Sequence, residues 1–129
     1  MREPDRWLGF ARQDLRVAEL AMNEGLYNQV CFHAEQCVEK VLKAWLAGND
    51  KKIPRTHSMA DLLTLIPAEV VGAMADEMLL LDRFYIPTRY PDALPGSLED
   101  GLPTRKKPWS LLNLPKSVEK YWRKIVNAP

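Results

Sequence analysis

Four short stretches of this sequence hold side chains whose types and spacing suit chemistry. The first, Tyr85-Ile86-Pro87-Thr88-Arg89-Tyr90-Pro91-Asp92, sets one arginine among tyrosines and prolines. A guanidinium grips phosphate through paired hydrogen bonds, and a neighbouring ring offers a stacking face for a base. Pro87 and Pro91 bracket the pair and limit its freedom, so less entropy is lost on binding. The plainer reading is a clamp: Arg89 pairs with Asp92 and pins the loop. The second stretch, Arg105-Lys106-Lys107-Pro108-Trp109, puts three cations beside a tryptophan. Such a set holds a nucleic-acid backbone and stacks a base, and its plainer reading is a solvated loop tip.

The third stretch is helical. His33, Gln36, Lys40 and Lys43 recur at three- and four-residue steps, with Glu35 and Glu39 beside them. They form either a polar wall that reaches phosphate or base edges, or a network of ion pairs. The network has a natural partner in Asp14, which interrupts a row made by Trp7, Phe10, Val17 and Ala21. Glu39 and Lys43 also make a favourable i,i+4 pair. The fourth stretch is Thr56-His57-Ser58, at the start of a short helix. A helix N-terminus suits a neutral imidazole acting as base or donor. The plainer reading is a histidine that hydrogen-bonds and fixes the loop.

Other chemistries lack their residues. With two histidines and no matching ligand cluster, no zinc site is expected. There is no Gly-rich phosphate cradle and no serine-centred nucleophile motif, and no cofactor is expected. Lys and Arg number 18 against 17 Asp and Glu, so any electrostatic partner must be met by a local patch. No apolar run is long enough to span a membrane. The N-terminal residues lack the apolar core of a signal peptide. Cys31 and Cys37 fall on one predicted helix, roughly 9 Å apart along its axis, too far to bridge. They suit a reduced, cytoplasmic protein.

The elements that would position these groups are helices. The 129 residues, 47% of them apolar, fit one domain with one core. Asp5 is read as the cap of a first helix, with Pro4 just outside it. Leu8, Ala11, Leu15, Ala18 and Met22 then mark one helical face up to Gly25. Tyr27, Val30, Ala34, Val38, Val41 and Trp45 mark a second, and the short link makes the two a hairpin. Ser58, with Asp61 three residues on, starts a short helix through Met59, Leu62 and Ile66 that stops at Pro67. A fourth helix carries Val71, Met74, Met78, Leu81 and Tyr85, and Pro87 disrupts its end. Residues 87–108 read as a long irregular, Pro-rich loop. A last helix starts at Ser110 or Asn113, with Val118, Tyr121, Trp122 and Ile125 inward. The expected class is all-α: an antiparallel up-and-down bundle of four main helices and one short one. Trp7, Phe10, Trp45, Phe84, Trp109 and Trp122 are more large apolar groups than a thin bundle needs, which points to a homodimer.

Several pieces together resemble the HEPN domain (higher eukaryotes and prokaryotes nucleotide-binding). They are Ala11-x-x-Asp14-Leu15-x-x-Ala18, Gly25-Leu26-Tyr27, the run from Phe32 to Ala44, Thr56-His57-Ser58 and Arg89-Tyr90-Pro91-Asp92. Their order and spacing cover most of the chain. The resemblance implies a helical bundle, and partnership with a minimal nucleotidyltransferase, in several cases as a toxin–antitoxin pair. Many members are dimeric RNases whose catalytic arginine is followed, after four to six residues, by a histidine. No histidine follows Arg89, and neither His33 nor His57 has an arginine at that upstream spacing. The expectation is therefore a nucleotide- or RNA-binding helper. Its contacts would be Arg89, Tyr90, Asp92, Arg105, Lys106, Lys107, Lys40 and Lys43. The alternatives are a divergent toxin-type endoribonuclease using Arg89, Tyr90 and His57, and a purely structural interaction subunit.

Overall fold

A computed structural model of the chain describes residues 2–89, 113, 115–118 and 120, with the backbone alone over 82–89. Among residues 2–89 the helices are, in order, α1 (Glu3–Asn23), α2 (Tyr27–Gly48), α3 (Met59–Leu63), α4 (Ala68–Val71) and α5 (Met74–Arg89). Residues 115–118 are helical as well, and no strand occurs among the described residues. The fold is all-α, as the periodicity requires.

α1 and α2 form the antiparallel hairpin on which the rest is built. The turn between them is a glycine-capped helix end. Gly25 sits at φ 72°, Leu26 N–H donates to Ala21 O at 2.9 Å, and Gly25 N–H donates to Met22 O at 3.2 Å. These two bonds satisfy carbonyls that the last turn would otherwise leave open, and glycine takes the left-handed conformation without strain. α2 ends in the same arrangement with a non-glycine residue. Asp50 takes φ 55°, and Lys51 N–H donates to Leu46 O at 2.9 Å.

α2 is the central element. From Val30 to Leu46 its buried residues point in nearly every direction. Leu8 and Ala11 of α1, Met59 and Leu62 of α3, Val71 of α4, Met78 and Leu81 of α5, and Val118 join its apolar side in one core. A second, smaller group of Ala18, Ala21, Met22 and Val30 closes the hairpin's turn end. Both cysteines are buried and neither is in a disulfide. Among the described residues, no helix is long and apolar enough to cross a membrane.

Three local boundaries differ from the sequence expectation. α1 begins at Glu3, so Pro4 lies inside its first turn and Asp5 does not cap it. A first-turn proline lacks only an N–H that has no helical partner anyway. The expected fourth helix is split: α4 ends at Gly72, whose φ of 56° breaks the helix before α5 starts at Met74. Finally, α5 runs through Pro87 to Arg89. Pro87 offers no N–H to the carbonyl of residue 83 and crowds it, and the helix ends two residues later, at Arg89, instead of at the proline. The short helix begins as expected, with Ser58 Oγ accepting from Asp61 N–H at 3.3 Å.

Candidate functional site

A helix buried on most sides must find partners for its polar residues. Charges buried without them cost several kcal/mol. On α2, Glu35 is fully buried, while Gln36, Glu39 and Lys43 are 8%, 2% and 7% exposed. Their partners, with Asp14 opposite, organise the polar side of α2 into two clusters, each centred on a carboxylate.

Asp14 centres the first. It projects from α1 toward α2 and is almost buried. Its Oδ1 lies 2.8 Å from His33 Nδ1, and its Oδ2 accepts a hydrogen bond from Lys40 Nζ. His33 and Lys40 stand about two turns apart on α2, so one carboxylate spans both. The ring of Phe32 meets His33 edge-on, with centroids 5.1 Å apart. A carboxylate at Nδ1 favours a proton there and leaves Nε2 as the imidazole's second contact atom. This cluster is not sealed: the side chains of His33 and Lys40 stay 23% and 24% exposed. It presents an imidazole and an ammonium, both held by one carboxylate, at a part-exposed edge where α1 meets α2.

Glu39 centres the second. Its Oε2 accepts from Lys43 Nζ at 3.1 Å, and its Oε1 lies 3.1 Å from His57 Nδ1. The Lys43 ammonium also sits 5.6 Å from the centroid of the Trp7 ring on α1, an attractive cation–π placement. His57 reaches this carboxylate from the connection between α2 and α3 and keeps more than half of its side chain exposed. The connection is tied further by Thr56, whose hydroxyl donates to Asp61 Oδ2 at 2.9 Å and accepts from Ser58 N–H at 3.1 Å. Beside both clusters, Glu35 accepts from Gln36 Nε2 at 2.8 Å.

The sequence candidates are thus distributed. Lys40 belongs to the Asp14 cluster. Lys43 and His57 meet on Glu39. Arg89 is the last residue of α5, and its side chain lies outside the described residues, as do Tyr90, Asp92, Arg105, Lys106 and Lys107. His33 enters as a member of the polar edge through its bond to Asp14. Glu35 reads in the sequence as a flanking charge, yet it is fully buried. The available signal is angular: it shares the helix face of Cys31 and Leu42, four residues before it and seven after. Among the described residues, no group of three or more His, Cys, Asp or Glu could hold a metal ion.

A helical hairpin with polar clusters along its central helix, closed by further helices, defines a class of small all-α bundle domains. The family follows from the sequence: the model of the HEPN domain matches residues 4–121, and the chain belongs to the HEPN domain family. Two solved structures are similar over almost their whole length. TT1696 from Thermus thermophilus is 31% identical with a TM-score of 0.82, over 96% of this chain and 98% of that one. ST0689, an archaeal HEPN homologue, is 28% identical with a TM-score of 0.75, over 98% of this chain and 100% of that one. A comparison with curated proteins gives no match.

Proposed function

We propose that this chain is a nucleotide- or RNA-binding HEPN subunit. It acts as a homodimer beside a nucleotidyltransferase-type partner, as in a toxin–antitoxin-like pair. The observation that carries the reading is the Asp14 cluster. One almost buried carboxylate holds His33 and Lys40 in fixed positions at a part-exposed edge. Fixed donors lose little entropy when they meet an anion. In this reading Lys40 meets phosphate together with Arg89, Arg105, Lys106 and Lys107. Tyr90 stacks a base, and Asp92 orients Arg89. Lys43, held inside by Glu39 and Trp7, supports the wall from behind.

The test is titration of labelled single-stranded RNA and of nucleoside triphosphates at low salt. Arg89→Ala should lower affinity by about 1–3 kcal/mol, the range for a charge-assisted contact, at nearly unchanged melting temperature. Lys106→Ala with Lys107→Ala should flatten the salt dependence. Wild-type protein that binds neither RNA nor nucleotide at low salt would remove the reading in favour of an interaction subunit.

One observation favours a second reading, a divergent endoribonuclease. His57 is half-exposed and its Nδ1 faces Glu39, the arrangement of a histidine oriented by a carboxylate. RNA cleavage that His57→Ala abolishes without loss of folding would select this alternative.

A further inference from the structure

α1 carries an outward face that the bundle leaves unused. Arg6, Phe10, Gln13, Val17, Leu20 and Glu24 follow one another at alternating steps of four and three residues, and all six are exposed. Phe10 is 54% exposed, Leu20 48% and Val17 41%, so three large apolar groups on this face lie open. Alternation of four and three is the period of a coiled-coil seam, in which a straight stripe faces a second helix. Such a stripe has no purpose toward the core, which α1 meets through Leu8, Ala11 and Ala18.

The order of residues says what fits the stripe. It is charged at both ends, with opposite signs: Arg6 begins it and Glu24 closes it. Laid antiparallel on a second copy and centred on position 15, the stripe matches itself. Arg6 faces Glu24 of the other copy, Phe10 faces Leu20, and Gln13 faces Val17. A parallel arrangement would set arginine against arginine and glutamate against glutamate. Arg6 and Glu24 are about 27 Å apart along the helix and cannot pair within one chain. Among the described residues, neither makes an ion pair.

We infer that the Arg6–Phe10–Gln13–Val17–Leu20–Glu24 face of α1 is a two-fold interface, on which a second copy of this chain packs its own α1 antiparallel. The contact is isologous, the commonest kind in homo-oligomers, and gives the shallow crossing angle of heptad packing. Gln13, a polar group inside the seam, fixes register at some cost in affinity. Because Asp14 is next to the centre of pairing, the two Asp14 clusters of a dimer fall near its middle. The inference rests on the homodimer of the functional reading and adds the face that makes it.

Sedimentation equilibrium of the full chain over micromolar concentrations tests it, with circular dichroism as the folding control. Every substituted residue is exposed, so the bundle should survive. The wild type should be a dimer and Val17→Glu a monomer. Arg6→Glu and Glu24→Arg should each weaken the dimer by about two- to thirty-fold, in line with the lost surface pairs counted twice by symmetry. The combined Arg6→Glu, Glu24→Arg protein should recover most of the wild-type affinity. A dimer indifferent to Val17→Glu overturns the α1 seam and leaves the homodimer reading standing. A wild-type monomer overturns both. A charge swap as weak as its single components overturns the antiparallel register.

Discussion

The two carboxylate clusters along the polar side of α2, one centred on Asp14 of α1 and one on Glu39 of α2, use the same parts in different surroundings. Asp14 and Glu39 each bind one lysine and one histidine. Around Glu39 the lysine is the buried member, 8% exposed in its side chain, and the histidine is outside. Around Asp14 both partners come to the edge. The Glu39–Lys43 pair lies in a place where water cannot replace a lost partner, so its worth is structural. The Asp14 cluster lies at an edge that water can reach, which is the position the proposed binding role needs. The same chemistry thus serves the fold in one place and presents a surface in the other.

Glu39→Ala should show the largest effect. It leaves the buried Lys43 ammonium without its carboxylate and cuts the tie to His57. Urea unfolding should report a loss of about 3–5 kcal/mol, the range for breaking a buried pair from one side. Exchanging both partners for apolar groups, Glu39→Leu with Lys43→Met, should cost clearly less than Glu39→Ala alone, since no charge is then stranded. If the double change is the worse one, the pair is not behaving as a buried ion pair.

Asp14→Ala should be intermediate, about 1–3 kcal/mol, because it removes charge-assisted bonds from groups that water can partly reach. It should also reduce RNA or nucleotide affinity by freeing His33 and Lys40, so stability and binding fall together. Loss of stability with binding intact would make this cluster another structural pair and erase the contrast. Ser58→Ala should be the smallest, about 1 kcal/mol from the lost helix cap, with no effect on binding.

Much of the fold is legible in the sequence, because the core faces of α1 and α2 follow the helical period. Leu8, Ala11, Ala18 and Met22 on α1, and Val30, Ala34, Val38, Val41 and Trp45 on α2, are all buried. Asp14 is legible as a residue in need of a partner, since it stands in an apolar row, and the polar stripe of α2 supplies that partner. Less is legible where one residue type serves two ends. Phe10 and Val17 share that row, yet both are exposed. Apolar residues surround much of α1, and period alone does not say which stripe meets its own core and which meets another chain. Glu35 hides in the opposite way, a charge on an apolar face. Pro87 reads as a stop, yet α5 continues two residues past it to Arg89.

The contrast between the clusters turns most directly on Lys40, and the deciding measurement is RNA affinity as a function of salt for the wild type and Lys40→Ala. Lys40→Ala should keep its unfolding free energy within about 1 kcal/mol of the wild type, as expected for a part-exposed pair that leaves Asp14 bound to His33. Its affinity should drop, and the slope of log affinity against log salt should fall by about one unit, the signature of one lost phosphate contact. Wild-type affinity and slope in Lys40→Ala would contradict the account and return the Asp14 cluster to a purely structural role.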